Sequence, residues 1–302
     1  MAGRLRTAGL FLFLLAIFGF IGWLLGGFFA GGFFAEGWYL WPAIFLGLAA
    51  VMNLVAYFGG ARIILRSYRA KEVSEKEAPK LYRSVRRVVQ MADLPMPKVM
   101  LISSPTPNAF ATGRNPKNAV VAVTEGLLRL LPEEELEGVL AHEIAHIKDR
   151  DILVMTLAAT LAGAIAFMAR FAFYGALFRQ RNQGALILLI AIAITAPIAA
   201  ALVQLAISRT REFRADEVGG RTLRQPLHLA RALERLDVAN QRRPMQRGNP
   251  ASASLFIVNP FRRRSTLVRV FSTHPPVEER VRRLRDLALE FGQYSYPSRQ
   301  RG

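Results

Sequence analysis

The sequence predicts an α-helical integral membrane protein with four transmembrane helices and a cytoplasmic α+β domain. Three observations predict it. Four apolar runs, at residues 7–35, 38–58, 152–178 and 185–207, each supply the roughly 20 residues that cross about 30 Å of hydrocarbon. Between the second and third run lies a polar stretch in which helical periodicity gives way to short β-branched segments. Lys and Arg cluster beside the ends of the first two runs, the asymmetry that orients spans in a bilayer.

The totals agree with a membrane location. Hydrophobic residues make up 52% of the 302 positions, above the range of ordinary soluble domains. Forty Lys and Arg against 22 Asp and Glu leave a net charge of +18, which suits the anionic inner leaflet. Nucleic acid is not expected as a partner, because the basic residues are spread along the flanks of the spans and no aromatic-rich binding motif accompanies them. With no cysteine in the chain, disulfides and thiolate metal sites are excluded. Any metal must be held by nitrogen and oxygen.

The first run reads as an uncleaved anchor rather than a signal peptide, since it exceeds a typical h-region and lacks a small-residue cleavage end. After a Gly-rich loop containing Glu36, the second run carries Trp38, Tyr39 and Trp41 at a membrane interface. The two spans form a hairpin occupying residues 1–68. Arg4 and Arg6 before it and Arg62, Arg66, Arg69 and Lys71 after it put both flanks in the cytoplasm. Residues 69–151 then form the first part of the cytoplasmic domain. There APKLYRSVRRVVQMA has helical periodicity, while PKVMLI and NAVVAV are bounded by Pro, Asn and Gly and read as strands of a small sheet.

A second hairpin occupies residues 152–207. Ala159, Ala162, Gly163 and Ala166 allow close helix packing in lipid, and Arg170 reads as an arginine snorkelling to the far interface. Arg179 and Arg181 in the connecting loop run against the positive-inside rule. Residues 208–302 return to the cytoplasm with the helical stretches PLHLARALERL and PPVEERVRRLRDLALEF. Both termini are thus expected inside, with residues 31–37 and 179–184 outside.

The chemistry is concentrated in PEEELEGVLAHEIAHIKD. Pro132 suits a first helical turn and three glutamates follow it at the positive end of the dipole. At about 100° per residue, Leu136, Leu140, Ile144 and Ile147 form one stripe, and His142 and His146 lie about 40° apart on another side. Two imidazoles one turn apart form a clamp for zinc, and Glu143 beside them can take a proton from the attacking water. Such a site needs one more ligand. SRTREFRADEVGG sets Glu212 and Asp216 four residues apart on one helix face. Glu212 is the candidate third ligand, and Asp216 the candidate acceptor for the outer N–H of a ligand histidine.

If Glu212 joins HEIAH at one ion, the two apolar runs between them must leave the bilayer on the side they entered. His146 precedes residue 152 by six positions and Glu212 follows residue 207 by five, so each ligand lies within roughly 10 Å of a span's end at 1.5 Å per residue. The site is expected at the membrane surface, and this constraint outweighs Arg179 and Arg181.

With those residues in place, the chain resembles the HtpX-type membrane zinc metallopeptidases, relatives of the CAAX prenyl proteases. The likeness extends beyond HEIAH and SRTREFRAD to DLPMPKVMLISSPTPNAFATGRNPKNAVVAVTEGLL, LFIVNP and FSTHPPVEERVRRL, in the expected order. It implies a membrane-anchored, zincin-like catalytic domain with His142, His146 and Glu212 as zinc ligands and Glu143 as general base. It further implies that His274 stabilises the oxyanion and that Asn108 lies beside the substrate strand; His228 matches nothing and reads as structural. The activity implied is ATP-independent endoproteolysis in quality control of misfolded membrane proteins, with one Zn2+ per chain, polypeptide substrates, the lipid bilayer as partner and room for a homo-oligomer. The alternatives are a prenyl-protein protease, against which four apolar runs count, and a basic membrane scaffold without activity.

Overall fold

The computed structural model describes residues 2–29, 36–178, 209–245, 250–261 and 275–293. Helices α1 (Ala2–Phe29) and α2 (Leu40–Ser67) form the N-terminal pair. Strand β1 (Lys71–Glu72), helix α3 (Pro79–Ala92), strands β2 (Lys98–Ile102), β3 (Ala109–Gly113) and β4 (Ala119–Thr124) and the short helix α4 (Glu125–Leu130) follow. Then come α5 (Glu133–Lys148), α6 (Asp151–Phe178), α7 (Arg209–Leu223), α8 (Pro226–Arg242) and α9 (Val277–Glu290). A 3-10 turn at Pro250–Leu255 precedes a stretch at 256–261 without regular structure.

Among the described residues one helix, Leu40–Ser67, is long and apolar enough to cross a membrane; Ala8–Phe20 and Asp151–Ile165 are shorter apolar stretches. The fourth apolar run, at 185–207, lies outside the described residues, as do Arg179, Arg181 and the side chain of Arg170. Helix α6 packs against the N-terminal pair, with Leu10, Leu14 and Phe18 of α1 and Ala49 and Ala56 of α2 clustering on Leu157, Leu161 and Ile165. Small residues at this contact let the helix axes approach.

The sheet has the order β1-β2-β4-β3 and is mixed. β2 and β4 are parallel, with Val99 opposite Val121, while β3 runs antiparallel to β4, with Ala111 opposite Val121. β4 is buried at every position, and its residues sort by the two-residue period of a strand. Ala119, Val121 and Val123 join the core formed with α3, α5, α8 and α9. Val120 and Ala122 face a second cluster with Ile64 of α2, Tyr68 just past its end, Phe110, Met155 and Phe256. The sheet therefore lies between α3, α5, α8 and α9 on one face and the ends of α2 and α6 on the other.

Strands β2 and β4 stand where the β-branched runs lie. β1 and β3 were not expected: one has two charged residues, and AFATG is built of small ones. Pro132 precedes α5 in extended conformation instead of occupying its first turn. The larger departure concerns the surroundings of α5. Sequence periodicity suggested one buried stripe, yet every residue from Glu135 to Ile147 is buried, because the sheet, α3, α7 and α8 enclose the helix.

Candidate metal centre

Two close helix crossings assemble the site on α5. A Cβ added at Gly219 of α7 would stand 3.0 Å from the carbonyl carbon of Ala141 and 3.0 Å from the His142 nitrogen. A Cβ at Gly138 would stand 2.7 Å from the Leu229 nitrogen of α8. Glycine thus allows backbone contact at both crossings. Glu212, Asp216 and Gly219 share one face of α7 by helical spacing, so the crossing that needs Gly219 also turns both carboxylates onto α5.

There His142 Nε2 and His146 Nε2 lie 3.2 Å apart. The Glu212 carboxylate is 3.7 Å from the first and 3.6 Å from the second. All three side chains are almost wholly buried. Ligand atoms held about 2.1 Å from one tetrahedral ion stand roughly 3.4 Å from one another, whereas the two separations to Glu212 exceed hydrogen-bond length. Two imidazoles and a carboxylate at these distances fit a divalent cation.

Each imidazole turns its other nitrogen to a carboxylate. His142 Nδ1 is 2.8 Å from Asp216 Oδ1, and His146 Nδ1 is 3.7 Å from Asp151 Oδ2 at the start of α6. At hydrogen-bond length, Asp216 orients the His142 ring and sets its tautomer, whereas Asp151 faces His146 as a nearby charge. Arg280 of α9 grips Asp216 in turn, Nε donating to Oδ2 at 2.8 Å and Nη2 to Oδ1 at 2.7 Å, while Nη1 donates to the Ile257 carbonyl at 2.7 Å. Arg280 is 1% exposed.

Burial pushes the His142 ring down to about 4, against the pull of Asp216. At His146 burial acts the same way, but Asp151, Glu212 and Glu143 outweigh it and the ring is raised to about 9. Burial acts upward on Asp216, yet Arg280 and His142 hold its carboxyl below the usual range.

Glu143, between the two histidines in sequence, accepts a hydrogen bond from the Ala111 N–H of β3 at 2.7 Å through Oε2. Oε1 is buried and finds no hydrogen-bond partner among the described residues. Burial raises this carboxyl to about 7, the range in which one group can both take and return a proton near neutral pH.

Asn108 stands at the head of β3 and is fully buried. Its Nδ2 donates to the Val258 carbonyl at 2.6 Å, and the Ile257 N–H donates to the Ala109 carbonyl at 3.2 Å. Residues 257–258 therefore cover the outer edge of β3 beside Asn108. His228 is half-buried on α8 with its backbone against Gly138. His274 lies outside the described residues.

Sequence reasoning missed Arg280 and Asp151. Arg280 had a signal: it shares the stripe of Val277, Val281 and Leu284, all buried, so a charge stood where α9 turns inward. Asp151, directly before the apolar run at 152–178, carries no comparable signal.

The model described as Peptidase family M48 matches residues 75–288. Over 294 residues the chain is 50% identical to the Protease HtpX homolog of Syntrophobacter fumaroxidans, covering 95% of this chain and 100% of the relative. It is also 50% identical over 292 residues to the Protease HtpX homolog of Pyrococcus abyssi, covering 95% and 97%. The crystal structure of S. mikatae Ste24p aligns with a TM-score of 0.49 at 20% identity, covering 82% of this chain and 58% of that one. A family match running from α3 into α9, with relatives half identical along nearly the whole chain, shows that the protein belongs to peptidase family M48.

Proposed function

We propose that this chain is a membrane-bound, zinc-dependent endopeptidase that cleaves polypeptides at the cytoplasmic face of the bilayer, in quality control of misfolded membrane proteins. The observation that carries this reading is the convergence of His142, His146 and Glu212 at ion-binding separations beside Glu143. Zinc held there would polarise the scissile carbonyl and make water acidic enough to deprotonate near neutral pH.

The chain's own residues do the rest. Glu143 takes the proton of the attacking water and passes it to the leaving amine, its carboxyl held in place by the Ala111 N–H. Asp216 fixes the His142 ring. His274 donates to the oxyanion on the side away from the metal. Asn108 acts beside the substrate by anchoring the head of β3. The chain is organised as a transmembrane hairpin at 1–68, a first catalytic segment at 69–151, a second hairpin at 152–207 and a second catalytic segment at 208–302. Four spans with both termini inside return α5 and α7 to one side of the bilayer.

The test is to purify the full chain in detergent, measure bound zinc by mass spectrometry, and follow cleavage of an unfolded protein with and without a chelator. Bound zinc and chelator-sensitive cleavage are expected; cleavage indifferent to the chelator would contradict the reading. Because the chain has no cysteine, one introduced at position 181 reports topology, and labelling only from the cytoplasm would refute four spans.

A further inference from the structure

A cavity of about 570 Å3 opens where the end of α2 meets the sheet and the start of α6. Tyr57, Phe58, Leu65, Met100, Val120 and Leu153 make it greasy. Its volume lies within the usual range for small-molecule sites, and its lining divides by chemistry. Arg62, Arg114 and Lys117 also line it, all exposed. The one carboxylate in the lining, Glu72, is paired with Lys98 at 3.2 Å. Among the described residues, three cations are left facing an apolar cavity without an ion pair to a carboxylate.

The surface leading to this cavity fits the same kind of occupant. Ile44, Leu48, Val51, Val55 and Phe58 are all exposed, and their spacing of three and four residues puts them on one face of α2. That face ends at Arg62, and the Arg114 guanidinium lies 5.7 Å above the Phe58 ring. Val51 and Arg62 are about 17 Å apart along the helix axis, close to the depth of one leaflet of a hydrocarbon core about 30 Å thick. An apolar track, whose last stretch from Val51 is about one leaflet long, therefore ends in a cluster of positive charge.

Resting on the membrane-face reading above, we propose that this cavity binds an anionic phospholipid. Its phosphate lies among Arg62, Arg114 and Lys117, and an acyl chain runs along the exposed face of α2. A zwitterionic lipid carries the same phosphate, but its choline would add a fourth cation to the cluster. The charge balance thus selects for the headgroup as well as for the phosphate. The cavity also reaches Gly113 and Thr156, where the Gly113 N–H donates to Thr156 Oγ1 at 3.2 Å. The lipid is thereby placed on β3 two residues from the Ala111 N–H that holds Glu143.

The test uses the full chain in detergent. Phosphatidylglycerol, phosphatidylcholine of the same acyl chains and inorganic phosphate are added separately, and bound molecules are counted by native mass spectrometry. Phosphatidylglycerol should be retained under activation that strips phosphatidylcholine. The double substitution Arg62→Gln with Arg114→Gln should weaken that retention roughly 30-fold. Arg242→Gln with Arg243→Gln removes the same charge elsewhere and should leave it unchanged. Equal retention of the two lipids in the parent chain, equal loss in both double variants, or displacement of phosphatidylglycerol by inorganic phosphate would each overturn the assignment. The lipid comparison in the parent chain needs no variant to fold. Alkaline extraction from phosphatidylcholine vesicles separates the two readings. Release of the chain would defeat the membrane reading itself, whereas a chain that stays inserted but shows no headgroup preference would defeat only the lipid site.

Discussion

Arg280 holds Asp216 by two parallel hydrogen bonds, 2.8 Å from Nε and 2.7 Å from Nη2, with both side chains buried. The same Asp216 oxygen that accepts from Nη2 lies 2.8 Å from His142 Nδ1, so the arginine sets the ring through the aspartate. Arg280→Ala would strand a buried carboxylate, which costs about 3–5 kcal/mol. It should also lower metal affinity on the order of 10 to 100-fold. Thermal unfolding and metal titration check this, with the exposed neighbour Arg282→Ala as reference. Equal behaviour of the two variants would remove Arg280 from the site.

Gly219 is where α7 meets the backbone of α5. Gly219→Ala should cost about 1–3 kcal/mol by overpacking, and it should weaken metal binding because Glu212 rides on the displaced helix. Gly47 of α2 has nothing within 4 Å of an added Cβ, so Gly47→Ala should be neutral or stabilising by up to about 1 kcal/mol. Unfolding midpoints and metal titration of the two variants decide it; unchanged metal affinity in Gly219→Ala would separate the crossing from the site.

The Glu143 carboxyl, raised to about 7 by burial from the ordinary 4.5, makes metal-stripped protein pH-sensitive in a defined direction. Its contribution to stability is fully present below pH 4.5 and is lost as pH rises through 7. Glu143→Gln lacks this titration, while His142 and His146 titrate in both chains. The stability of parent minus variant should therefore fall as pH rises from 4.5 through about 7, and further towards 9 because Glu143 also helps to raise His146. Urea unfolding after chelation measures it, and a difference independent of pH would contradict the buried carboxyl.

His274 is expected to act on the substrate rather than on the metal. His274→Ala should keep its zinc and bind peptide nearly as well, yet lose about 10² to 10³ in turnover. Zinc content and steady-state kinetics separate the outcomes: lost zinc would make it a ligand, and unchanged turnover would make it structural.

The legible parts of this molecule are those whose signal is local. HEIAH and the Glu212–Asp216 pair stand out because helical spacing aims their side chains together, and because four histidines in the whole chain leave few other candidates. Strands β2 and β4 stand out by their β-branched runs. β3 does not, because its extended state follows from pairing with β4 and from the Ala111 N–H meeting Glu143, and neither is written in AFATG itself. The stripe of α9 marks Arg280 as turned inward without saying toward what, and Asp151 carries no such mark, for a related reason. A charge beside an apolar residue becomes a ligand's partner only when helices distant in sequence cross. The burial of α5 on all sides was likewise hidden, since Glu135 and Glu137 break the apolar pattern on faces that Arg235 and Arg87 neutralise from α8 and α3.

The central claim, that Glu143 is the base beside a bound metal, is tested most directly by substituting it alone. Glu143→Gln should retain the parent's zinc content and unfolding midpoint when zinc-loaded, because the amide keeps the size of the side chain and can still accept from Ala111. Its cleavage of an unfolded protein should fall by about 10² to 10⁴, since the amide cannot take up the proton of the attacking water. Equal peptidase activity in the variant and the parent would contradict the account.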